Sequence, residues 1–173
     1  RHVVLGQYGG QGVLFSGDGT HWAASFIAQT YVQSLAAGAG RFVSTSSDED
    51  GSIFTSEDGR TWTHRLTGTS RAIESILFAN DRFWAVGEAG TILASRDGTD
   101  WSPSFVANET DYYGVTRHGD LLVVAGDDGT ILTSLDGRSW SPQATPSGRN
   151  LHAVQSGGGL LVAGGRGGRI MTS

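Results

Sequence analysis

One short phrase occurs four times in this chain at an almost constant spacing. It reads Ser16-Gly-Asp-Gly-Thr-His-Trp22, Ser56-Glu-Asp-Gly-Arg-Thr-Trp62, Ser95-Arg-Asp-Gly-Thr-Asp-Trp101 and Ser134-Leu-Asp-Gly-Arg-Ser-Trp140. The steps between the closing tryptophans are 40, 39 and 39 residues. A fixed period of this size predicts a repeat architecture, because a unit so short buries its apolar face only against neighbouring units.

The repeat extends beyond the phrase. Each copy follows a short apolar run ending in Ser: 13–16, 53–56, 92–95 and 131–134, with a fifth run at 170–173. A second run precedes each of these across a Gly-rich turn, at 3–5, 42–43, 83–86, 121–124 and 160–162. A further run lies earlier still, at 32–35, 73–76, 112–115 and 151–154. The segment from each phrase's Trp supplies a last strand. Short apolar runs bounded by Gly and Asp turns at even spacing predict all-β structure without helices. Four strands in about 40 residues make one blade of a β-propeller. The count is three strands, three full blades of four antiparallel strands, and three more strands. About five blades are therefore represented, with incomplete terminal blades. The expected organisation is a single domain over 1–173, with repeats at about 1–25, 26–65, 66–104, 105–143 and 144–173. A larger or oligomeric ring is one way to complete it, since an unpaired blade edge is a template for association.

The phrase itself is hairpin chemistry. Its Asp-Gly pairs are Asp18-Gly19, Asp58-Gly59, Asp97-Gly98 and Asp136-Gly137. Gly accepts positive φ cheaply, which the tight turn needs. The Asp carboxylate and the hydroxyl of Ser16, Ser56, Ser95 or Ser134 accept backbone N–H groups of the same turn. Trp22, Trp62, Trp101 and Trp140 then enter the space between blades, where a large ring buries much area. Four equivalent rim turns do not converge on one substrate, so these aspartates read as structural.

Ser-x-Asp-Gly-x-x-Trp resembles the Asp box of the BNR repeat family, which includes sialidases, sortilin-type receptors and photosystem II assembly factors. The resemblance spans essentially the whole chain. The common family pattern often has one more residue between Asp and Trp, and the shorter form is similar to bacterial BNR-like propellers. The resemblance implies a propeller fold and an extracytoplasmic (secreted or periplasmic) location. It does not by itself imply sialidase activity, since Asp boxes occur in catalytic and non-catalytic propellers alike.

Composition narrows the function. The net charge is −5, so nothing draws the chain to nucleic acid or to an anionic membrane. No apolar run is long enough to insert in a bilayer. Without Cys there is no disulfide, thiolate nucleophile or zinc–thiolate site. The five His are scattered over different strands and turns with no metal-binding spacing. No cofactor and no metal are expected. Asp48-Glu49-Asp50 is an acidic turn rather than a calcium loop.

In propellers that this chain resembles, the face opposite the boxes carries the lead-in loops of the first strands and the second-to-third turns. Aligned repeats place Gln33, Glu74, Tyr113 and His152 in one polar, varied column near the start of the innermost strand. The flanking columns are uniform: Val32, Ile73, Tyr112 and Leu151 are mainly apolar, while Ser34, Ser75, Gly114 and Ala153 are small. The lead-in loops add Arg71 and Arg149, whose guanidinium groups suit carboxylates. The second-to-third turns add Gln7, Tyr8, Asp48, Glu49, Asp50, Glu88, Asp127, Asp128 and Arg166. Gln33, Glu74, Tyr113, His152, Arg71 and Arg149 are the candidate ligand set, and no convergent catalytic set accompanies them.

The first reading is a non-catalytic binding or scaffold propeller that recognises a protein or glycan on its loop face. A sialidase-type glycoside hydrolase, or a fragment of one, is a second; Glu74 with Tyr113, and Arg71 with Arg149, would be its raw material. A third is a structural propeller that forms homo-oligomers through its incomplete terminal blades.

Overall fold

The computed structural model describes residues 2–5, 12–27, 31–46, 50–105, 109–146 and 148–173. Among them are eighteen strands in five antiparallel sheets. Blade 1 holds β1 (His2–Leu5), β2 (Gly12–Ser16) and β3 (Trp22–Phe26). Blade 2 holds β4 (Val32–Gly38), β5 (Arg41–Ser46), β6 (Ile53–Ser56) and β7 (Thr63–Arg65). Blade 3 holds β8 (Ile73–Ala79), β9 (Arg82–Gly87), β10 (Ile92–Ser95) and β11 (Ser102–Phe105). Blade 4 holds β12 (Tyr112–His118), β13 (Leu121–Gly126), β14 (Ile131–Ser134) and β15 (Ser141–Gln143). Blade 5 holds β16 (Leu151–Gly157), β17 (Leu160–Gly165) and β18 (Arg169–Thr172). Three, four, four, four and three strands is the expected count, and each strand pairs with its neighbour in sequence.

Two details differ from expectation. The fourth strand starts at the box Trp only in blade 1; in blades 2 to 4 it starts one residue later, after the indole has turned into the interface. Two three-residue 3-10 turns, Asp127–Gly129 and Arg166–Gly168, stand where hairpins alone are expected. Both contain a left-handed residue, Asp128 at φ 52° and Gly167 at φ 76°, so they are tightened hairpin turns and not helices.

Strand alternation sends one set of side chains to the preceding blade and the other to the following one. In blade 3, Phe83, Ala85 and Leu93 meet Val43 and Ile53 of blade 2. Trp84, Val86 and Ile92, one residue out of phase, meet Leu122, Val124 and Leu132 of blade 4. All of these are buried. Each fully buried Leu, Ile, Val or Phe contributes about 1.5–3 kcal/mol, so sheet-to-sheet packing is the main stabilising term. The inner strands β4, β8, β12 and β16 lie side by side in that order, with β1 next to β4. Gly114 marks how close they come: a Cβ there would lie 3.1 Å from the Val154 nitrogen. Among the described residues no helix is long and apolar enough to cross a membrane.

Candidate functional site

The four box turns are built alike. The Gly N–H donates to the Ser Oγ at 2.8 Å in every copy: Gly19 to Ser16, Gly59 to Ser56, Gly98 to Ser95 and Gly137 to Ser134. One oxygen of the Asp accepts the next two N–H groups, as Asp58 Oδ1 does from Arg60 at 2.8 Å and Thr61 at 2.9 Å. The Ser hydroxyl donates to that same oxygen at 3.1 Å in all four. These donors hold the carboxyls of Asp18, Asp58, Asp97 and Asp136 below the ordinary carboxylate range. The leading causes are the His21, Thr61 and Ser139 N–H groups for Asp18, Asp58 and Asp136, and the Thr99 hydroxyl for Asp97. Each carboxylate is spent on its own turn. Trp62, Trp101 and Trp140 pack into the interfaces ahead of their blades, whereas Trp22 is 41% exposed.

The polar column has a backbone cause that sequence alone does not show. In each of β4, β8, β12 and β16 the pairing register slips around one residue. The slips fall between Val32 and Ser34, Ile73 and Ser75, Tyr112 and Gly114, and Leu151 and Ala153. The skipped residues are Gln33, Glu74, Tyr113 and His152. A β-bulge leaves its extra residue out of the ladder and re-aims its side chain. The same bulge in four adjacent inner strands therefore gathers these four side chains at one end of the inner wall.

They touch in two pairs along that wall. Gln33 Nε2 donates to Glu74 Oε2 at 2.7 Å. The Tyr113 and His152 rings lie 4.8 Å apart and tilted by 45°. The Tyr113 hydroxyl donates to Asp127 Oδ1 at 3.0 Å. Burial pushes the Tyr113 phenol up to about 12, aided by that bond and by the negative charges of Asp127, Asp111 and Glu74. Gln33 and His152 are exposed, Glu74 and Tyr113 half-buried, so the group offers an aromatic, acidic and amide surface to solvent.

The lead-in loops and turns brace this surface. Asp111 Oδ1 accepts the Ala89 N–H at 2.9 Å, and Asn150 Oδ1 accepts the Asp128 N–H at 3.3 Å. Each bond ties one blade's second-to-third turn to the next blade's lead-in loop. Arg71 and Arg149 are exposed on the lead-in loops of blades 3 and 5, either side of blade 4. The Arg71 N–H donates to Thr69 Oγ1 at 3.1 Å. The Arg149 guanidinium lies beside Gly167. Gln7, Tyr8, Asp48 and Glu49 lie outside the described residues. Asp50 accepts the Ser52 N–H at 3.0 Å as an ordinary turn residue. Among the described residues no three His, Asp or Glu are grouped to hold a metal ion.

Asp127 belongs with the column, although the sequence marks it only as one acidic turn residue among several. Its signal was the Asp-Asp-Gly turn, whose left-handed Asp128 leaves Asp127 facing β12. A second feature lies on the box face: a cavity of 680 Å³ between blades 3 and 4, lined by Arg82, Arg96 and Arg138 with Asp97, Asp100 and Asp136. Its two aspartates from boxes are already committed to their turns.

No family model matches the chain, and no curated protein matches it in sequence. Solved structures do. The chain is similar to the computationally designed Ika4 protein, with a TM-score of 0.68 at 15% identity over 85% of this chain and 92% of that one. It is similar to YCF48 bound to D1 peptide, with a TM-score of 0.72 at 22% identity over 93% of this chain and 56% of that one. It is also similar to a chain of the nidogen/laminin complex, with a TM-score of 0.72 at 17% identity over 95% of this chain and 70% of that one. The chain thus spans little more than half of the YCF48 chain. What all three share with it is the fold, a β-propeller of antiparallel blades.

Proposed function

We propose that the chain is a non-catalytic Asp-box propeller domain that binds a protein segment on the face of Gln33, Glu74, Tyr113 and His152, flanked by Arg71 and Arg149. The observation that carries this reading is the repeated bulge. One backbone device presents the same position in four blades, and the sequence varies there while the columns beside it stay uniform. A uniform scaffold with a varied column is how recognition is grafted on a repeat. The surface offers a carboxylate–amide pair, a Tyr–His aromatic pair and outlying guanidinium groups. That mixture suits a peptide with both polar and apolar side chains. The likeness to a propeller carrying a bound peptide, and to one from a protein–protein complex, supports the same class of partner. An extracytoplasmic location is part of the reading and rests on the resemblance of the box phrase.

The sialidase-type alternative finds no support at the column. A Tyr nucleophile needs its phenol pushed down, and Tyr113 is pushed up to about 12. Its hydroxyl pairs with Asp127, while Glu74 pairs with Gln33.

A peptide array and a glycan array, probed with the wild-type chain and with Glu74→Ala and Tyr113→Ala, test the proposal. Peptide binding that both substitutions weaken about tenfold or more supports it. Glycan binding alone, or turnover of a fluorogenic sialoside lost in Glu74→Gln, overturns it.

A further inference from the structure

Cavities recur along the box rim, and they differ. They measure 350 Å³ between blades 1 and 2, 400 Å³ along the blade 2 box and 680 Å³ between blades 3 and 4. In the first and last, a blade's third-to-fourth hairpin forms one wall and the next blade's box turn closes it. Ser25 Oγ donates to the Arg60 carbonyl at 2.5 Å, and Ser104 Oγ donates to the Gly137 carbonyl, so the fourth strand is tied to that next box.

Three positions vary on this common plan. The residue opening the second strand is Arg41 in blade 2 and Arg82 in blade 3. The second residue of the box is Gly17, Glu57 or Arg96 in blades 1 to 3. The fifth residue of the next box is Arg60, Thr99 or Arg138. Of these three grooves, only that of blades 3 and 4 has Arg at all three positions: Arg82, Arg96 and Arg138. Among the described residues the ion pairs are His21–Asp18 and Arg117–Asp120, so none of the three takes part in one. Elsewhere on the rim the guanidinium groups are occupied. Arg60 lies 4.9 Å over the Phe15 ring, and Arg65 Nε donates to Thr55 Oγ1 at 3.0 Å.

The acids of the cavity are largely engaged with their own turns. Asp97 Oδ1 and Asp136 Oδ1 each accept two N–H groups and one Ser hydroxyl, and Asp97 Oδ2 accepts the Thr99 hydroxyl. That leaves the exposed Asp100 as the acid facing three guanidinium groups without another bond. A guanidinium is a planar fork of donors matched to an oxyanion. Three forks suit three acceptor oxygens; a carboxylate has two, whereas a phosphate or sulfate ester has three. The volume exceeds what a bare ion needs and lies in the range of ligand pockets, about 300–1,000 Å³. Trp84, Ala94 and Pro103 add apolar wall for the rest of the molecule.

We infer that the groove between blades 3 and 4 is a second binding site, separate from the loop face, that holds the tetrahedral oxyanion of a phosphate or sulfate ester between Arg82, Arg96 and Arg138.

The test titrates phenyl phosphate, phenyl sulfate and benzoate into the 173-residue chain by calorimetry. Saturable binding of at least one ester, about tenfold or more tighter than benzoate, is expected, and the tighter ester assigns the source of the oxyanion. Arg96→Glu, which copies Glu57 of the neighbouring groove, should abolish it, and Arg138→Ala should weaken it about tenfold. Both arginines are exposed, so both variants should keep the wild-type melting temperature within about 2 °C. Arg65→Ala, outside this cavity, and Glu74→Ala, on the loop face, should leave ester binding unchanged. Loss of loop-face peptide binding in Glu74→Ala with ester binding intact separates the two sites. No saturable ester binding, benzoate binding as tight as the esters, an unchanged affinity in Arg96→Glu, or an equal loss in Arg65→Ala overturns the inference.

Discussion

The two rims of the propeller carry opposite patterns. On the box rim, Ser, Asp, Gly and Trp recur in four copies with matching hydrogen bonds. On the loop rim, the bulged residue is Gln, Glu, Tyr or His, and its partner changes with it. The box rim closes the same hairpin four times and, at Trp62, Trp101 and Trp140, seats the indole against the preceding sheet. The loop rim holds the backbone constant and varies the side chain. Uniformity marks what folding needs, and variation marks what a partner could read. Substitutions should therefore split by rim, with stability moving on one and binding on the other.

The largest effect is expected from Trp101→Ala, which empties a seat among Phe83, Val43 and Leu93. It should cost about 3–5 kcal/mol, or roughly 10 °C in melting temperature. Trp22→Ala, at an indole 41% exposed, should cost less than about 1 kcal/mol in the same melting experiment. Equal losses would break the link between box and interface packing.

Gly137→Ala comes next. Its φ is 68°, and a Cβ there would lie 1.9 Å from Cη2 of Trp84. Strain and overpacking together should remove about 3 kcal/mol by denaturant titration. Gly40→Ala has a similar φ of 76° but nothing within 4 Å, so about 1 kcal/mol is expected.

Acid should act through the box rim. The four box carboxyls titrate lower in the folded chain than in the unfolded one. Below pH about 4 the unfolded chain therefore binds more protons, and stability falls as pH drops through the folded values. Replacing Asp58 and Asp136 with Asn should flatten the acid limb of a melting-temperature profile. An unchanged limb would assign acid sensitivity to other carboxyls.

The smallest stability effect is expected on the loop rim. Glu74→Gln and Tyr113→Phe should each change stability by no more than about 1 kcal/mol while weakening partner binding. Tyr113 gives an independent optical check. Its phenol titrates near 12 rather than 10.0, so it costs stability as pH rises from 10.0 towards 12. Asp127→Asn should bring its ultraviolet titration back towards 10.0; no movement would remove Asp127 from the site.

Legibility followed sequence distance. The box bonds link residues two or three apart, so the phrase alone specifies them. Strand number and order were equally readable, because Gly-bounded apolar runs repeat at a fixed period. The column was visible as an alignment of Gln33, Glu74, Tyr113 and His152. The bulge that aims it was not, since a register slip belongs to a pair of strands and leaves no mark on either one. Asp127 lies 14 residues from Tyr113 and was hidden among other acidic turns.

Trp22 and Trp101 stand in nearly the same local phrase, and that phrase by itself determined the turn each one follows. Burial was decided elsewhere: Trp101 finds Val43, Ile53 and Phe83 against it, while Trp22 keeps 41% of its surface in water. A hairpin is closed by neighbours along the chain, whereas an indole is buried only when a second sheet arrives in space.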